Sequence, residues 1–383
     1  MVQSVYIHIP FCHEICHYCD FTKIYYNESL ANQYLDALQK EIKLYIGEQK
    51  RHVKTIYIGG GTPTSLSDPQ FEKLLRIVNQ YFDVSSCNEF TVEANPGEFS
   101  QEKAKMLKDY GVNRISLGVQ VLDDEFLKTL NRNHQVRDVD QTVQALQSNG
   151  LTNISMDFIY ALPNQTLEHF EKTLQAALDY QLPHYSAYAL QIEPKTVFYI
   201  RYKKGKLSKP PEDVEADMYE SLVNKMENHG LYHYEISNFG KPGYESQHNL
   251  VYWDNAYYFG FGAGAHGYIN GKRLVNLRPV NHYIDSLMKD EKPVLHEEMI
   301  TKKEQIEEEM FLGLRKSQGV SKSAFYRKYG ITMKNLYHEE IDQLKQKGWL
   351  VEAQDAVKLT PQGRLFGNEV FASFLLDKDV IIS

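Results

Sequence analysis

A chain of 383 residues, 42% of them hydrophobic, is long and apolar enough to bury a large core, which predicts a globular, enzyme-sized protein. Its formal net charge of -8, from 50 acidic and 42 basic residues, gives no overall attraction for nucleic acid, so we expect no DNA or RNA partner. No apolar run reaches the roughly 18 residues that cross a bilayer, and the N-terminus lacks a signal-peptide pattern, so we expect a cytoplasmic protein.

Six short runs of β-branched and aromatic residues predict β-strands. They are Val5–Ile9, Thr55–Ile58, Phe90–Glu93, Arg114–Val119, Ile154–Ile159 and Tyr185–Gln191. Helical patterns lie between them: Asp68 and Pro69 begin one before Phe71, and Val143 and Leu146 lie at helical spacing in another. Strands that alternate with helices pair in parallel through right-handed crossovers, so the sequence predicts an α/β fold, either an open doubly wound sheet or a partial barrel. Both architectures gather ligands at the carboxyl ends of the strands.

Three of the four cysteines, Cys12, Cys16 and Cys19, follow the first predicted strand. In a reducing compartment, clustered thiols indicate a metal or redox site rather than a disulfide framework. A tetrahedral zinc site needs a fourth ligand, which one of three nearby histidines would supply. Three thiolates on a [4Fe-4S] cluster instead leave one iron open to bind a ligand. Packing of the thiols as small core hydrophobes is the remaining alternative, and the polar loop around them argues against it.

The CxxxCxxC spacing after the first strand of a βα series resembles the radical S-adenosylmethionine (SAM) superfamily. There, the amino and carboxylate groups of SAM bind the open iron, and an electron delivered through the cluster cleaves SAM to a 5'-deoxyadenosyl radical. Further strand ends carry GGGTPT (59–64), VEANPGE (92–98), LGVQ (117–120) and MDFIYALPNQT (156–166). Gly59, Gly60 and Gly61 either hold the amino-acid end of SAM through their N–H groups or form only a tight turn. Glu93 either accepts a hydrogen bond from the SAM ammonium or is a surface or capped acid.

The pattern changes beyond residue 193. Residues 201–210 (RYKKGKLSKP) hold five basic residues, and an acidic helix start follows them. A solvated loop and a first helical turn explain both, and a basic dock for an electron donor or an anionic membrane surface is the alternative. From Thr301, which forms a capping box with Glu304, the chain is mostly helical and ends in a small β-wing and a helix. We therefore predict a core over 1–235, an aromatic-rich extension over 236–295 and a helical, winged-helix-like domain over 296–383.

The wider sequence resembles one family within this superfamily, the oxygen-independent coproporphyrinogen III oxidases and their relatives, the HemW-type heme chaperones. The matching segments are YIHIPFCHEICHYCDF, GGGTPT, VEANPGE, ISLGVQ, MDFIYALPNQT, YEISNFGKPG, HNLVYW and GFGAGAHGY, which cover most of the chain. The resemblance implies a radical SAM partial (βα)6 barrel with a mainly helical C-terminal accessory domain. It assigns a [4Fe-4S] cluster to Cys12, Cys16 and Cys19, and SAM contacts to Tyr6, Tyr18, Gly60, Gly61, Thr62, Glu93, Gln120, Arg132 and Asp157. Taken individually, Arg132 and Asp157 could equally form an ion pair on the sheet rim.

Three features separate the chaperones from the oxidases. Phe21 stands where the oxidases carry a fourth cysteine, only 11 residues precede Cys12, where the oxidases carry a substantial extension, and HNLVYW (248–253) matches the HNxxYW motif of the chaperones. The resemblance therefore implies a heme chaperone that passes heme to membrane respiratory proteins and receives electrons from a donor such as flavodoxin or ferredoxin. Its expected location is cytoplasmic, either free or peripheral at the inner face of the membrane. The alternative is an oxidase that converts coproporphyrinogen III to protoporphyrinogen IX, and SAM cleavage is left open.

Eleven aromatic residues lie within the 37 residues of segment 232–268, against 12% for the whole chain. A porphyrin is mostly apolar with two propionates, so aromatic walls and one imidazole ligand suit it. The resemblance makes His248 the candidate heme ligand, and a histidine hydrogen-bonded to neighbouring backbone is the alternative. For His266 we expect a structural or SAM-pocket role, and for Tyr252 and Trp253 packing at the base of the barrel.

Overall fold

A computed structural model describes residues 2–376 of the chain. The strands are β1 (Ser4–Ile9), β2 (Phe11–Cys12), β3 (Ile24–Tyr25), β4 (Thr55–Gly60), β5 (Glu89–Ala94), β6 (Arg114–Gln120), β7 (Ile154–Tyr160), β8 (His184–Ala189), β9 (Tyr232–Glu235), β10 (Asn238–Gly240), β11 (Phe259–Phe261), β12 (His266–Ile269), β13 (Lys272–Asn276), β14 (Val294–Met299), β15 (Val320–Ser321), β16 (Leu350–Glu352) and β17 (Ala356–Leu359). All six predicted strands are confirmed, as β1 and β4 to β8, with β8 ending two residues before the predicted Gln191.

Helices follow most of these strands, as the alternating pattern predicts. They are α1 (Glu28–Ile46), α2 (Asp68–Tyr81), α3 (Gln101–Asp109), α4 (Asp124–Thr129), α5 (Val136–Ser148), α6 (Leu167–Leu178), α7 (Val197–Lys203), α8 (Glu212–Asn228), α9 (Gln247–Trp253), α10 (Val280–Met288), α11 (Lys302–Gly313), α12 (Lys322–Tyr329), α13 (Met333–Gln346), α14 (Pro361–Leu365) and α15 (Gly367–Ala372). The two helices predicted from local patterns are α2 and α5, and α2 begins with a capping box of Ser67 and Gln70 and a proline in its first turn. Within residues 2–376, no helix combines the length and apolarity that a membrane span requires.

The strand order decides between the two predicted architectures. The main sheet has nine strands in the order β11-β1-β4-β5-β6-β7-β8-β10-β9, and β1, β4, β5, β6, β7 and β8 are parallel neighbours in chain order. A doubly wound sheet reverses its strand order at a switch point, whereas unbroken sequential order winds all crossovers in one direction. The core is therefore a partial (βα)6 barrel. It is extended by β11, parallel to β1, and by the antiparallel strands β10 and β9 beyond β8.

Along β6, side chains alternate between the two faces of the sheet as far as Gly118. On β6, Ile115 and Leu117 are fully buried in the main hydrophobic core, where residues of the surrounding helices also lie. The residues that alternate with them, Arg114, Ser116 and Gly118, instead line a cavity on the inner face. Because the side-chain period of a strand is two, an apolar outer face leaves every second position free to carry polar chemistry inside the barrel.

The main hydrophobic core includes residues on both sides of the predicted boundary between residues 235 and 236. One hydrophobic core runs from Val2 to Leu287, and it includes Phe239, Phe259 and Phe261 from the aromatic-rich extension. The extension contributes β10 and β11 to both sides of the main sheet, so it completes the barrel core. Local composition misses this because the pairing partners of β11 and β10, β1 and β8, lie far away in the sequence.

The C-terminal segment forms a second core, as predicted. Its buried residues run from Ile306 to Phe374, and the preceding helix α11 begins with the predicted capping box of Thr301 and Glu304. Strands β16 and β17 pair antiparallel as the predicted wing, β15 joins them, and α14 follows. The part of the predicted domain beyond residue 376 lies outside the described residues.

Candidate functional site

The three cysteines lie in a loop that the barrel holds at several points. Backbone N–H groups of Ile24 and Tyr26 donate to carbonyls of the loop at 2.8 and 2.9 Å, and the N–H of His17 donates to the Leu130 carbonyl at 3.0 Å. The thiols of Cys12, Cys16 and Cys19 are free, and all three residues line a cavity of about 460 Å³ inside the barrel mouth. The carboxyl ends of the parallel strands thus bring the predicted cluster ligands to one side of one space.

Three thiols match the number of protein ligands that the predicted [4Fe-4S] cluster requires. The residues that the structure describes contain no group of three or more His, Cys, Asp or Glu side chains close enough to share one metal ion. A tetrahedral zinc site gathers four ligands around one ion, whereas a [4Fe-4S] cluster binds each thiolate to a different iron. Burial raises the pKa of Cys12 to about 12 although Thr62 donates a hydrogen bond to its sulfur, and burial also raises the pKa of Cys19. Binding of iron must therefore displace protons from these thiols.

The glycine turn after β4 packs directly against the cysteine loop. Gly60 has a φ of +120°, and a Cβ there would lie 2.5 Å from the ring of His8. A Cβ on Gly61 would lie 2.8 Å from the carbonyl oxygen of Phe11 and 2.9 Å from the sulfur of Cys12. Only glycine allows this approach. The N–H groups of Gly60 and Gly61 donate to the Glu93 carboxylate at 2.9 Å and to the Ile9 carbonyl at 2.8 Å, so their contact with SAM stays a prediction.

The carboxylate of Glu93 is held under this turn. It accepts hydrogen bonds from the hydroxyl of Tyr57 at 2.7 Å and from the N–H of Gly60 at 2.9 Å. Burial raises the pKa of Glu93 to about 7, since the desolvation of the charged form outweighs these two hydrogen bonds. The interior of the barrel therefore favours the neutral carboxyl group more than water does.

If Glu93 contacts SAM as predicted, its titration makes the affinity of the protein for SAM depend on pH. Ionised Glu93 is a stronger hydrogen-bond acceptor for the amino group of SAM than the neutral carboxyl group is, so the affinity should fall by up to about tenfold per pH unit below about pH 7. Calorimetric titration of SAM into the reconstituted protein between pH 6 and 8 measures this. Glu93→Gln should bind SAM more weakly and lack this part of the pH slope, while the exposed Glu102→Gln should match the unaltered chain. Equal slopes in all three proteins would exclude this role for Glu93.

Arg132 and Asp157 do not form the ion pair that was the alternative for them. Arg132 donates to the sulfur of Cys16 at 3.3 Å, to the carbonyl oxygen of Gly118 at 2.7 Å and to the side chain of Asn95. Asp157 accepts instead from the hydroxyls of two serines, at 2.6 and 2.7 Å. Arg132 thus places a positive charge beside the sulfur of a predicted cluster ligand.

Eight of the nine residues that are predicted to contact SAM line the same cavity as the cysteines. They are Tyr18, Gly60, Gly61, Thr62, Glu93, Gln120, Arg132 and Asp157. Gln120 has a φ of +68° at a bulge in β6, a conformation that non-glycine residues adopt mainly at constrained sites. Tyr6 does not line the cavity, because it lies behind Tyr57, at 6.1 Å between ring centroids, and hydrogen-bonds with His8 at 2.9 Å. Its predicted SAM contact would have to be indirect in this conformation.

Several polar residues of the cavity wall were missed from the sequence. They include Tyr57, Asn95, Arg114, Ser116, Ser186, Tyr188 and Asn249. Most of them occupy alternate positions of strands whose other positions are apolar, so the period-two pattern in RISLGVQ or HYSAYA was the signal that could have found them.

His248 lies at the base of the barrel, on helix α9, and is 1% exposed. Its Nδ1 hydrogen-bonds with the hydroxyl of Thr55 and its Nε2 with the hydroxyl of Tyr252, both at 2.8 Å. Its ring stacks on Tyr57 with 5.2 Å between centroids. Both nitrogens are therefore engaged, and by side-chain hydroxyls rather than by the neighbouring backbone that was the predicted alternative. Heme ligation by His248 stays a prediction, and it requires one of these hydrogen bonds to open.

The predicted packing of Tyr252 at the barrel base agrees with this arrangement, since its ring lies edge-on to His248. His266 begins β12, and its carbonyl oxygen would lie 1.8 Å from a Cβ on Gly260. Only glycine at position 260 lets β12 pass so close to β11. This approach involves only the backbone of His266, so the role of its side chain stays a prediction.

Comparison with known proteins now identifies the family. Residues 6–177 match the radical SAM superfamily and residues 300–366 match the HemN C-terminal domain. The chain is 50% identical to the heme chaperone HemW of Bacillus subtilis (strain 168) over 98% of this chain and 99% of that protein. It is 45% identical to the heme chaperone HemW of Lactococcus lactis (strain IL1403) over 98% of both chains.

A solved structure shares the fold at lower sequence identity. Coproporphyrinogen III oxidase (HemN) from Escherichia coli, a radical SAM enzyme, superposes with a TM-score of 0.85 at 23% identity, over 98% of this chain and 90% of that chain. This similarity agrees with the barrel and with the helical C-terminal domain described above. Together with the identity to the heme chaperones, it shows that the chain belongs to the HemW-type heme chaperone family of radical SAM proteins.

Proposed function

We propose that this protein binds a [4Fe-4S] cluster, SAM and heme, and delivers heme to membrane respiratory proteins. The observation that carries the proposal is the 50% identity, over nearly the whole chain, to a heme chaperone. The free thiols and the polar cavity beside them support the two radical SAM cofactors, because donors of the required chemistry line one space.

The residues of the cavity have distinct proposed roles. Cys12, Cys16 and Cys19 hold the cluster, which supplies an open iron and a one-electron couple when it is bound. Arg132 balances the negative charge of a cysteine ligand at 3.3 Å from the Cys16 sulfur. Glu93 accepts from the amino group of SAM, and the barrel walls keep the nucleotide away from bulk water.

We also propose an electron donor such as flavodoxin or ferredoxin, and a cytoplasmic location, free or peripheral at the inner face of the membrane. The basic segment after α7 supports such an acidic partner or surface, because α7 adjoins the cysteine loop. The N–H of Phe198 on α7 donates to the carbonyl of His17 at 2.9 Å. Ile200 and Tyr202 on the same helix are half exposed beside the basic residues.

Anaerobic incubation with SAM, dithionite and coproporphyrinogen III tests this function. We expect no sustained decarboxylation, measured as released CO2 and as protoporphyrin fluorescence after oxidation of the products, because Phe21 stands in place of the oxidases' fourth cysteine. A parallel titration with hemin should give a saturable change in absorption. Sustained decarboxylation would replace the chaperone by the oxidase. Equimolar zinc without iron or sulfide in the purified protein would indicate a zinc-stabilised binding module instead.

A further inference from the structure

Arg114, the first residue of β6, is a buried cation that the proposed cofactor chemistry does not use. Its side chain is 2% exposed and lines the lower part of the cavity. Within residues 2–376 its one hydrogen bond is a long contact of 3.4 Å between Nη2 and Nδ1 of His184. The Nε atom is buried and has no partner among the described residues. A guanidinium carries five N–H donors, so most of its hydrogen-bonding capacity is unused.

The neighbouring carboxylates are committed to other groups. The two oxygens of Glu89 accept from the N–H groups of Gln247 at 2.7 Å and His248 at 3.0 Å, which fixes the start of α9. The two oxygens of Asp157 accept from Ser116 and Ser155. Both acids attract Arg114 electrostatically, and within residues 2–376 neither accepts a hydrogen bond from its guanidinium. The charge of Arg114 is thus balanced by acids at a distance, but these acids do not accept hydrogen bonds from its N–H groups within the described residues.

A buried guanidinium with free donors is unfavourable unless a ligand completes it. The ligand that matches its planar fork best is a carboxylate, which accepts two parallel N–H bonds. Further polar groups face the same space, among them Ser186, Tyr188 and Asn249. Gly118 pairs with Asp157 four residues farther along β6, and at a rise of roughly 3.3 Å per residue the base of Arg114 lies about 13 Å below that level. Glu93 pairs with Ser116, two residues from Arg114, so Arg114 lies at the base of the same cavity, below the proposed cofactor residues.

We propose that Arg114 is the receptor for a carboxylate of the bound ligand at the base of the barrel. The inference rests on the proposed function, since the propionate arm of a tetrapyrrole supplies such a carboxylate, and a small free carboxylate is the other source. In either case the acid enters from the barrel mouth and forms a bidentate contact with Arg114. Asn249, which follows His248 in the HNxxYW motif and lines the cavity, belongs to the wall of this carboxylate site.

The test compares hemin with hemin dimethyl ester, which lacks the free carboxylates. The full-length protein should bind hemin about tenfold to a hundredfold more tightly than the ester by absorption titration. Arg114→Gln should bring the two affinities together by weakening hemin alone. Arg137→Gln, which makes the same change at an exposed arginine of α5, should preserve the full difference. Succinate tests the second source, because it should raise the melting temperature of the unaltered protein but not of Arg114→Gln.

The outcomes separate this inference from the proposed function. If hemin binds saturably but the ester binds equally well, and succinate has no effect, the carboxylate site is wrong and the chaperone function stands. If neither hemin nor the ester binds, the chaperone function is wrong, and Arg114-dependent stabilisation by succinate alone would then support a small-acid site. The comparison of acid and ester on the unaltered chain keeps the test decisive even if Arg114→Gln does not fold.

Discussion

Replacement of Cys12, Cys16 and Cys19 together by alanine should reduce the iron and inorganic sulfide of anaerobically reconstituted protein from stoichiometric amounts to background. The expected loss is at least about tenfold, because cluster affinity depends on thiolate ligands that no other side chain of the loop replaces. Each single replacement should also lose most of the cluster, since two thiolates leave two irons without a protein ligand. Iron and sulfide assays with the visible absorption spectrum measure this.

Cys87 provides a matched control for the cluster prediction. It is half-buried outside the cavity, with its sulfur within hydrogen-bonding distance of the carbonyls of Lys54 and Glu89, so Cys87→Ala makes the same chemical change away from the proposed ligands. We expect it to retain the full iron and sulfide content. Undiminished iron and sulfide in the triple variant would disprove the assignment of the cluster to this loop, provided that its thermal unfolding stays cooperative.

Substitution His248→Ala should lower the free energy of unfolding by about 2–4 kcal/mol even without heme. The change leaves a cavity under α9 and removes the partner of two hydroxyls, those of Thr55 and Tyr252. Chemical denaturation at neutral pH measures the effect. His282→Ala, at an exposed histidine of α10, should change the stability by less than about 0.5 kcal/mol.

The difference in stability between the unaltered protein and His248→Ala should depend on pH, and this dependence identifies the protonation state of His248. Burial, together with the positive charge of Arg114, lowers its pKa to about 3, so the folded protein keeps it neutral. The unfolded chain takes up a proton near pH 6.5, so the contribution of His248 is full above that pH and is lost as the pH falls toward 3. Other buried histidines such as His8 shift the same way, so the relevant quantity is the difference between the unaltered protein and His248→Ala. A difference that does not change between pH 7 and 5 would contradict this.

Hemin titration of His248→Ala separates the structural role from heme ligation. If His248 ligates the iron, the variant should lose the absorption change that the unaltered protein gives. If the absorption change is the same in both proteins while the stability falls, His248 only fixes helix α9 to the barrel. The hydrogen bonds to both ring nitrogens predict a loss of stability in His248→Ala whether or not His248 ligates heme.

The local sequence was sufficient to predict the parallel strands, the start of α2 and the position of the cysteine loop. The β-branched runs that became β1 and β4 to β8 carry their strand preference in five to seven residues, and the start of α2 needs only its capping box and proline. The CxxxCxxC loop follows β1, and the carboxyl ends of parallel strands meet at one edge of the sheet. The proximity of this loop to Gly60 and Glu93 could therefore be predicted.

Only the tertiary structure decided the rest, because it depends on contacts between residues far apart in the chain. The choice of barrel over doubly wound sheet rests on strand order, and the unity of residues 2–287 rests on β11 pairing with β1. The partners of His248 are Thr55 and Tyr252, and the first of these is 193 residues away. The burial that shifts Glu93 and isolates Arg114 arises only when all six strands close around the cavity, since desolvation is a property of the assembled interior and not of any one segment.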